Sequence, residues 1–446
     1  MSQSIGQKFT PVSLLKFAFP SIIMMVLMSC YTIIDGIFIS RFLGDAALSA
    51  VNIVYPVISI LLAIGVMLAS GGSAIVAKKM GEGKTEEARS DFSFLTAIGF
   101  IASMILLLLI RFLLTSVCRA LGGNDTLLPY CTAYLGTLVL FAPACMLQSL
   151  FQSFFVTAGK PQIGLSLIIT GGVTNAILDY VFLGPLGFGI EGAALATGIG
   201  QIIPAVFGCS YFFFVKKDLY FTKFHFQPKT LMESCFNGSS EMVTNLSNAV
   251  MTYLFNRTML QLVGQSGVAA ITIILYAEFL FNALYMGFSM GVAPIFSFHY
   301  GAQNQKELNN VYKMSIFFVL ITSCFVAVIS HFASGDIVQI FVDAKTETYA
   351  LAAGGFALFA LAFLCSGFNI FSSAFFTALS DGKTSAIISF TRTFGFILPS
   401  LSVLPSFLGV TGVFLAIPVA EFLTFFLSLF FHRRKCSHCF AAFLHK

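Results

Sequence analysis

Residues 189–196 read GIEGAALA, and residues 409–416, which lie 220 positions further along the chain, read GVTGVFLA. The two copies share both glycines, the leucine and the final alanine. Further matches at the same offset are Gly44 and Gly264, Ala50 and Ala270, Gly71 and Gly291, and Gly81 and Gly301. The pair Phe154-Phe155 recurs one residue out of phase as Phe375-Phe376. Self-similarity at this spacing predicts that the chain folds into two equivalent halves.

The composition is that of a polytopic membrane protein. Hydrophobic residues make up 57% of the 446 residues, charged residues make up 10%, and the mean hydropathy is +0.91. A soluble protein of this length needs far more surface charge. The first apolar stretch lacks the short core and cleavage site of a secretory signal, so we expect it to span the membrane. We expect twelve segments of spanning length, at about 14–39, 50–77, 92–117, 129–157, 162–183, 189–215, 237–263, 266–299, 311–333, 349–378, 384–405 and 411–432.

The number of segments fixes the relation between the halves. Six helices are an even number, so both halves begin on the same side of the membrane. We therefore predict an all-α polytopic membrane protein of two six-helix bundles related by a parallel pseudo-twofold repeat. With a cytoplasmic N-terminus, the cytoplasmic segments hold 18 of the 24 basic residues and the outer loops hold three. This bias predicts that both termini are cytoplasmic. We expect an integral, multi-pass protein of the plasma membrane.

The longest polar connection joins the two halves. It begins at Lys216 and Lys217 and ends near Asn237. We predict an N-lobe at residues 1–216, a cytoplasmic linker at 217–237, a C-lobe at 238–432 and a cytoplasmic tail at 433–446. The tail contains Cys436, His438 and Cys439, which amount to half a zinc site. We expect reduced thiols there and no metal site.

Acidic side chains inside the bilayer are candidates for function, because a charge at mid-helix costs about 2.5–3.5 kcal/mol or more. Asp35 in the first predicted helix and Asp179 in the fifth lie at similar depth. Asn175 shares a helix face with Asp179, and Thr197 reaches the same depth in the sixth helix. Such oxygen atoms bind a hard cation, or the two acids share a proton. We predict a cation or proton site at these four residues; the alternative is polar packing against backbone carbonyls.

The second half lacks this cluster. At the offset of 220, the equivalents of Asp35, Asn175, Asp179 and Thr197 are Phe255, Gly395, Pro399 and Ile417. A purely structural role would be expected in both copies. The asymmetry therefore favours an ion-coupling site in the first half only.

Four further residues complete the predicted transport machinery. Pro20 removes a backbone hydrogen bond from the first helix and predicts a bend there, with static curvature as the alternative. We predict that Glu278, Tyr31 and Tyr180 line a substrate cavity, in which Glu278 is a counter-charge for a cation. Metal ligands and catalytic residues are not expected.

The last two helices carry opposite charges at comparable depth. We expect Arg392 and Glu421 to form a structural ion pair. Phenylalanine is abundant, with 53 residues, and tryptophan is absent. Most of these rings are expected to face lipid or to pack between helices, and a minority to contact flat aromatic cations.

These residues resemble those of a known family of transporters. Pro20, Asp35 and the segment LGDAAL at residues 43–48 resemble the first helix and loop of the multidrug and toxic compound extrusion (MATE) family. Asn175 and Asp179, followed by GIEGAALAT at 189–197, resemble the same family, as do GVAP at 291–294, YGA at 300–302 and AIP at 416–418. The resemblance covers essentially the whole chain. The segment GSSE at 238–241 with Asn256 resembles the bacterial multidrug-pump branch related to the DinF-type proteins.

The resemblance implies two six-helix bundles around a V-shaped cavity, and export of cationic amphipathic compounds in exchange for inward H⁺ or Na⁺. Asp35, Asn175, Asp179 and Thr197 match the N-lobe cation site of the family. Another branch has acidic residues in helices 7 and 10, but here helix 10 has no carboxylate before Asp381. The expected partners are small cationic drugs and membrane lipid. We expect a monomer without nucleic acid and without any cofactor besides the coupling ion.

Two other functions stay open. A lipid-linked saccharide flippase of the same wider superfamily needs a cationic cavity for a pyrophosphate, whereas the first-half charges are acidic. A polytopic acyl- or glycosyltransferase needs His and Asp, or a metal, at a membrane face, and the six histidines form no such set with Asp or Glu. We therefore predict a transporter rather than an enzyme.

Overall fold

The computed structural model describes residues 5–435, and all regular structure in that range is helical. Twelve long helices follow one another: α1 (Pro11–Leu43), α2 (Asp45–Gly81), α3 (Thr85–Phe112), α4 (Leu128–Thr157), α5 (Pro161–Leu183), α6 (Gly189–Phe214), α7 (Ser239–Leu262), α8 (Gln265–Gly301), α9 (Gln305–Phe332), α10 (Glu347–Ala378), α11 (Gly382–Leu408) and α12 (Val410–Lys435). Short 3-10 turns interrupt α4 at Val139–Phe141 and α10 at Ala360–Ala362. The connections contain short helices at Leu114–Ala120, Pro228–Asn237 and Ser334–Gln339. The predicted fold of twelve helices is confirmed.

Eleven helices of the described range are long and apolar enough to cross a membrane. The twelfth is α7, whose hydropathy is lowered by Glu241, Asn245, Asn256 and Arg257. It packs against α2, α8 and α11, so neighbouring helices cover part of its polar surface. The protein is an integral, multi-pass membrane protein.

Several helices extend beyond the segments predicted from hydropathy, because polar residues begin them outside the apolar core. Thr10 and Ser13 cap α1: the Ser13 amide donates to Thr10 Oγ1 at 3.3 Å, and the Thr10 amide donates to Ser13 Oγ at 2.8 Å. The helix α3 spans Thr85–Phe112 rather than 92–117. Its charged beginning is anchored by an ion pair of 2.7 Å between Asp91 and Lys79.

The repeat is visible in the backbone at the sharp junctions between helices. Gly44 joins α1 to α2 with φ +80°, and its equivalent Gly264 joins α7 to α8 with φ +92°. Gly189, the first residue of α6, and Gly409, which precedes α12, have φ of +62° and +56°. Residues that carry a side chain rarely adopt a positive φ. The repeated glycines therefore let the chain reverse at equivalent places in each half.

The two lobes meet at one end of the bundle. We call the end that carries the connections after α2, α6 and α8 the basic face, and the other end the opposite face. Near the basic face, one hydrophobic cluster contains residues of both lobes, including Phe17, Val156 and Phe296. Near the opposite face, the N-lobe cluster around Ile39 and the C-lobe cluster around Phe255 are separate.

Glycines permit the closest approach between the lobes. A Cβ atom on Gly71 of α2 would lie 1.9 Å from the carbonyl oxygen of Ser234, and one on Gly238 would lie 2.0 Å from the carbonyl oxygen of Met67. Backbone therefore contacts backbone where the N-lobe meets the start of the C-lobe.

The segment predicted as a linker at 217–237 is ordered and touches both lobes. The Thr222 amide donates to Ser93 Oγ of α3 at 2.9 Å, and Asn237 Nδ2 donates to the carbonyl oxygen of Thr377 of α10 at 2.8 Å. Residues 433–435, predicted as tail, continue α12, whose last residue, Lys435, pairs with Asp381 at 2.7 Å. Cys436, His438 and Cys439 lie outside the described residues.

Candidate functional site

Three helices of the N-lobe converge on the predicted cation site. α5 and α6 pack closely: a Cβ atom on Gly171 would lie 2.7 Å from the carbonyl oxygen of Gly200, and one on Gly200 would lie 2.9 Å from that of Gly171. A Cβ atom on Gly200 would also lie 3.1 Å from the Cβ atom of Asn175. On the other side of α5, a Cβ atom on Gly172 would contact the Tyr31 ring of α1 at 3.7 Å. Small residues thus bring polar side chains of α1, α5 and α6 together.

Asn175 and Thr197 form the hydrogen-bonded side of the site. Asn175 is 1% exposed and its Nδ2 atom donates to Thr197 Oγ1 at 3.4 Å. Thr197 in turn donates to the carbonyl oxygen of Ala193 at 3.0 Å. This chain of bonds fixes the orientation of both side chains within the lobe.

The two carboxyl groups form the other side of the site. Asp35 of α1 and Asp179 of α5 lie within interaction range of each other, and Thr197 also lies beside Asp35. Asp179 is fully buried, and neither of its carboxyl oxygens accepts a hydrogen bond within the described part of the chain. The Oδ1 atom of Asp35 is also buried and without a hydrogen-bond donor there. Buried carboxylates in this state require a proton or a cation.

The other predicted N-lobe residues divide into two groups. Tyr31 lies beside Asp35, Asp179 and Thr197, and thus borders the cluster. Tyr180 is 57% exposed and packs edge-on against Phe42, with ring centroids 6.3 Å apart, so its ring points away from the cluster.

Pro20 is buried inside α1, which continues as a helix through it. The missing amide leaves one carbonyl of the preceding turn without its helical donor. A bend at this position stays a prediction.

The equivalent region of the C-lobe is apolar. Phe255 is 1% exposed and Ile417 is 4% exposed, and both belong to the hydrophobic cluster near the opposite face. The pseudo-twofold axis therefore relates a polar cluster in one lobe to hydrophobic packing in the other.

The C-lobe charges lie elsewhere, among α8, α11 and α12. Arg392 Nε donates to Glu421 Oε1 at 2.6 Å, so the predicted ion pair is confirmed. Glu278 of α8 lies near both of these residues and accepts a hydrogen bond of 3.3 Å from Asn282 Nδ2.

The sequence analysis missed Asn369 of α10, whose Nδ2 atom donates to Glu421 Oε2 at 2.7 Å. Ser428 Oγ of α12 donates to Asn369 Oδ1 at 3.2 Å, so the amide is bonded on both sides. An asparagine within the apolar stretch FNIFSSAFF at residues 368–376 is the signal that marks it, because a buried amide needs a partner.

Comparison with known proteins adds a family to this geometry. The family model described as MatE matches residues 20–181 and 241–400. The Multidrug export protein MepA of Staphylococcus haemolyticus is 23% identical over 419 residues, which are 94% of this chain and 92% of that protein. The protein of the same name from Staphylococcus aureus is also 23% identical, over 92% of this chain and 90% of the relative.

Solved structures share the fold. An outward-facing conformation of a multidrug resistance MATE family transporter of the MOP superfamily superposes with a TM-score of 0.90 at 20% identity, over 97% of both chains. A MOP superfamily transporter from Pyrococcus furiosus, whose binding pocket is described as having reverse polarity, gives a TM-score of 0.89 at 19% identity, over 96% of both chains. At these identities the likeness establishes the arrangement of the helices.

Proposed function

Because this chain belongs to the multidrug and toxic compound extrusion (MATE) family, we propose that it is a secondary active multidrug efflux transporter. It exports cationic amphipathic compounds in exchange for inward H⁺ or Na⁺. The family consists of transporters, and the protein is accordingly not an enzyme. The multidrug export proteins to which it is similar support efflux as its activity.

The observation that carries the coupling proposal is the pair of buried carboxyl groups in the N-lobe. Asp179 has no hydrogen-bond donor among the described residues, and Asp35 has a buried oxygen in the same condition. Two acids this close do not both stay ionised without a neutralising ion. A proton or Na⁺ that binds here in one conformation more tightly than in the other drives the exchange.

The packing of the lobes supports alternating access. They share a hydrophobic cluster near the basic face and have separate clusters near the opposite face. By the distribution of basic residues, the basic face is cytoplasmic. The described conformation is then open to the outside, in an integral plasma membrane protein that acts as a monomer in contact with lipid.

For the substrate, Glu278 supplies a negative charge within the C-lobe, and Tyr31 supplies a ring beside the N-lobe acids. Tyr180 supplies an exposed ring at the edge of the N-lobe. Aromatic faces and isolated carboxylates attract flat organic cations without demanding one shape. Broad specificity follows from such contacts.

Ethidium transport by purified protein in proteoliposomes tests the function. A Na⁺ gradient and a proton gradient are imposed separately, with vesicles lacking the protein as the control. We expect one of the gradients to drive ethidium against its concentration difference. Transport that responds to neither gradient would exclude antiport and favour a lipid-linked saccharide flippase, which translocation of a fluorescent pyrophosphate lipid would then detect.

A further inference from the structure

A second group of intramembrane charges lies in the C-lobe. We call Glu278 of α8, Arg392 of α11 and Glu421 of α12 the C-lobe charge cluster. Arg392 contacts one oxygen of Glu421 through both Nε, at 2.6 Å, and Nη2. Asn369 donates to the other oxygen at 2.7 Å. Glu421 is fully buried, so its negative charge is neutralised entirely from within the protein.

The carboxyl group of Glu278 is less fully bonded than that of Glu421. It is partly exposed, and a single hydrogen bond of 3.3 Å from Asn282 is recorded for its side chain. Its charged neighbours within the described range are Arg392 and Glu421. The guanidinium is already engaged by Glu421. When both carboxyl groups are ionised, the single guanidinium leaves one negative charge, which is located at Glu278.

Arg392 lies in a rare type of helical turn. It is the second residue of a π-helical segment, Thr391–Ile397, within α11. Such turns are rare and often accompany functional sites, because they displace a side chain from its ordinary helical position. The Arg392 side chain remains 16% exposed, while that of Glu421 is fully buried.

The cluster is not a product of the repeat. At the offset of 220, the equivalents of Glu278, Arg392 and Glu421 are Ile58, Gly172 and Gln201. All three charges are therefore confined to one lobe.

We propose that Arg392 is a tethered cation, that is, a positive charge fixed to the protein, which determines how many positive charges a preferred substrate carries. It satisfies Glu421 and leaves Glu278 to bind one further positive charge, so that monocationic compounds are preferred over dicationic ones. This inference rests on the proposed export of cationic compounds. Arg392 determines specificity in this way without contacting the substrate itself.

The test compares ethidium with propidium, which share a phenanthridinium ring system and carry one and two permanent positive charges. Binding is measured by fluorescence anisotropy on the purified full chain in nanodiscs, without an ion gradient. R392Q removes the tethered charge. N282D places a second carboxylate beside Glu278, where a bound dication neutralises both acids, and keeps the ion pair. It therefore tests the same charge count if R392Q does not fold. R392Q/E421Q restores the native net charge and is the matched control.

We expect the native protein to prefer ethidium. In R392Q and N282D, the ratio of the propidium Kd to the ethidium Kd should fall about tenfold, because one more negative charge favours the dication. The double variant should return to the native ratio. An unchanged ratio in the folded single variants overturns the inference, as does a double variant that keeps the shifted ratio. If the native chain binds neither dye, the proposed function itself fails; binding without a change in ratio refutes only the role of Arg392.

Discussion

Gly81 at the end of α2 and Gly301 at the end of α8 are equivalent in the repeat and meet across the two lobes. A Cβ atom on Gly81 would lie 2.0 Å from the carbonyl oxygen of Phe298, and one on Gly301 would lie 2.1 Å from the carbonyl oxygen of Lys78. These are backbone atoms in helices, which do not move independently of the lobes. The closed basic face therefore depends on the absence of side chains at two symmetric points.

Gly81→Ala should open the basic face. The added methyl group forces the lobes apart or strains the backbone by about 1–3 kcal/mol. This cost lowers the ratio of the described conformation to the open one by about five- to 150-fold. Spin labels at Lys84 and Lys306, measured by double electron–electron resonance, should show longer distances. Gly354→Ala is the control, because a Cβ atom there meets nothing within 4 Å. Native distances in Gly81→Ala would show that this contact does not hold the face closed.

Asp35→Asn and Asp179→Asn should each abolish coupled transport while the protein stays folded. The amide keeps the shape of the side chain but removes the charge that holds a proton or Na⁺. We expect gradient-driven ethidium transport in proteoliposomes to fall at least about tenfold. Asp125→Asn, at a side chain that is fully exposed near the opposite face, should transport as the native protein does. Native transport in both site variants would refute the assignment of the ion site.

The sequence predicts the N-lobe cluster better than the C-lobe cluster, for a physical reason. Asp35, Asp179 and Thr197 lie at one depth in helices of the same half, so helical geometry alone brings them near each other. Asn369 bonds to Glu421 across two helices, and neither spacing nor depth distinguishes it from other polar residues. The ion-coupling role of the N-lobe residues stays a prediction, because proximity does not establish what they bind.

The repeat predicts that there are two equivalent lobes, but it does not predict the contacts between them. The matched glycines predict two equivalent lobes, and the positive φ angles of Gly44 and Gly264 give the reason for their recurrence. That Gly81 and Gly301 contact each other's lobe follows only from the packing of the lobes. Helix ends also differ from hydropathy segments where a polar cap, such as Thr10 with Ser13, begins the helix earlier.

Asp381 and Lys435 predict a pH dependence of stability at the basic face. Burial opposes the charge of Asp381, but hydrogen bonds from Lys435 and Thr384 outweigh it and lower the pKa of the carboxyl. The native state then binds fewer protons than the unfolded state. This stabilisation is present above the ordinary Asp pKa of about 3.9 and is lost as the pH falls through the lowered pKa.

Asp381→Asn should therefore destabilise the protein by about 0.5–1 kcal/mol at pH 7, a value appropriate to a partly exposed ion pair. Asparagine retains the ability to cap α11, so the lost charge is isolated. Thermal unfolding in detergent should show that the difference from the native protein disappears at low pH. Asp336→Asn, at an exposed position, is the control. A difference of equal size at pH 7 and at low pH would show that the charge of Asp381 is not its source.

The coupling site and the substrate should affect each other reciprocally. We expect protonation or ligation of Asp35 to change its charge balance with Asp179 and α1 to bend at Pro20 in response, so that occupancy of the site alters the shape of the N-lobe. The ion shifts the conformational equilibrium only by its difference in affinity for the two states. Bound substrate must then weaken ion binding by the same factor.

Adding ethidium to purified protein should therefore release protons or Na⁺, measured with a pH indicator or a Na⁺ electrode. The release should be lost in the double variant Asp35→Asn/Asp179→Asn. Release that persists in that variant but vanishes in Glu278→Gln would move the coupling site to the C-lobe and contradict the assignment.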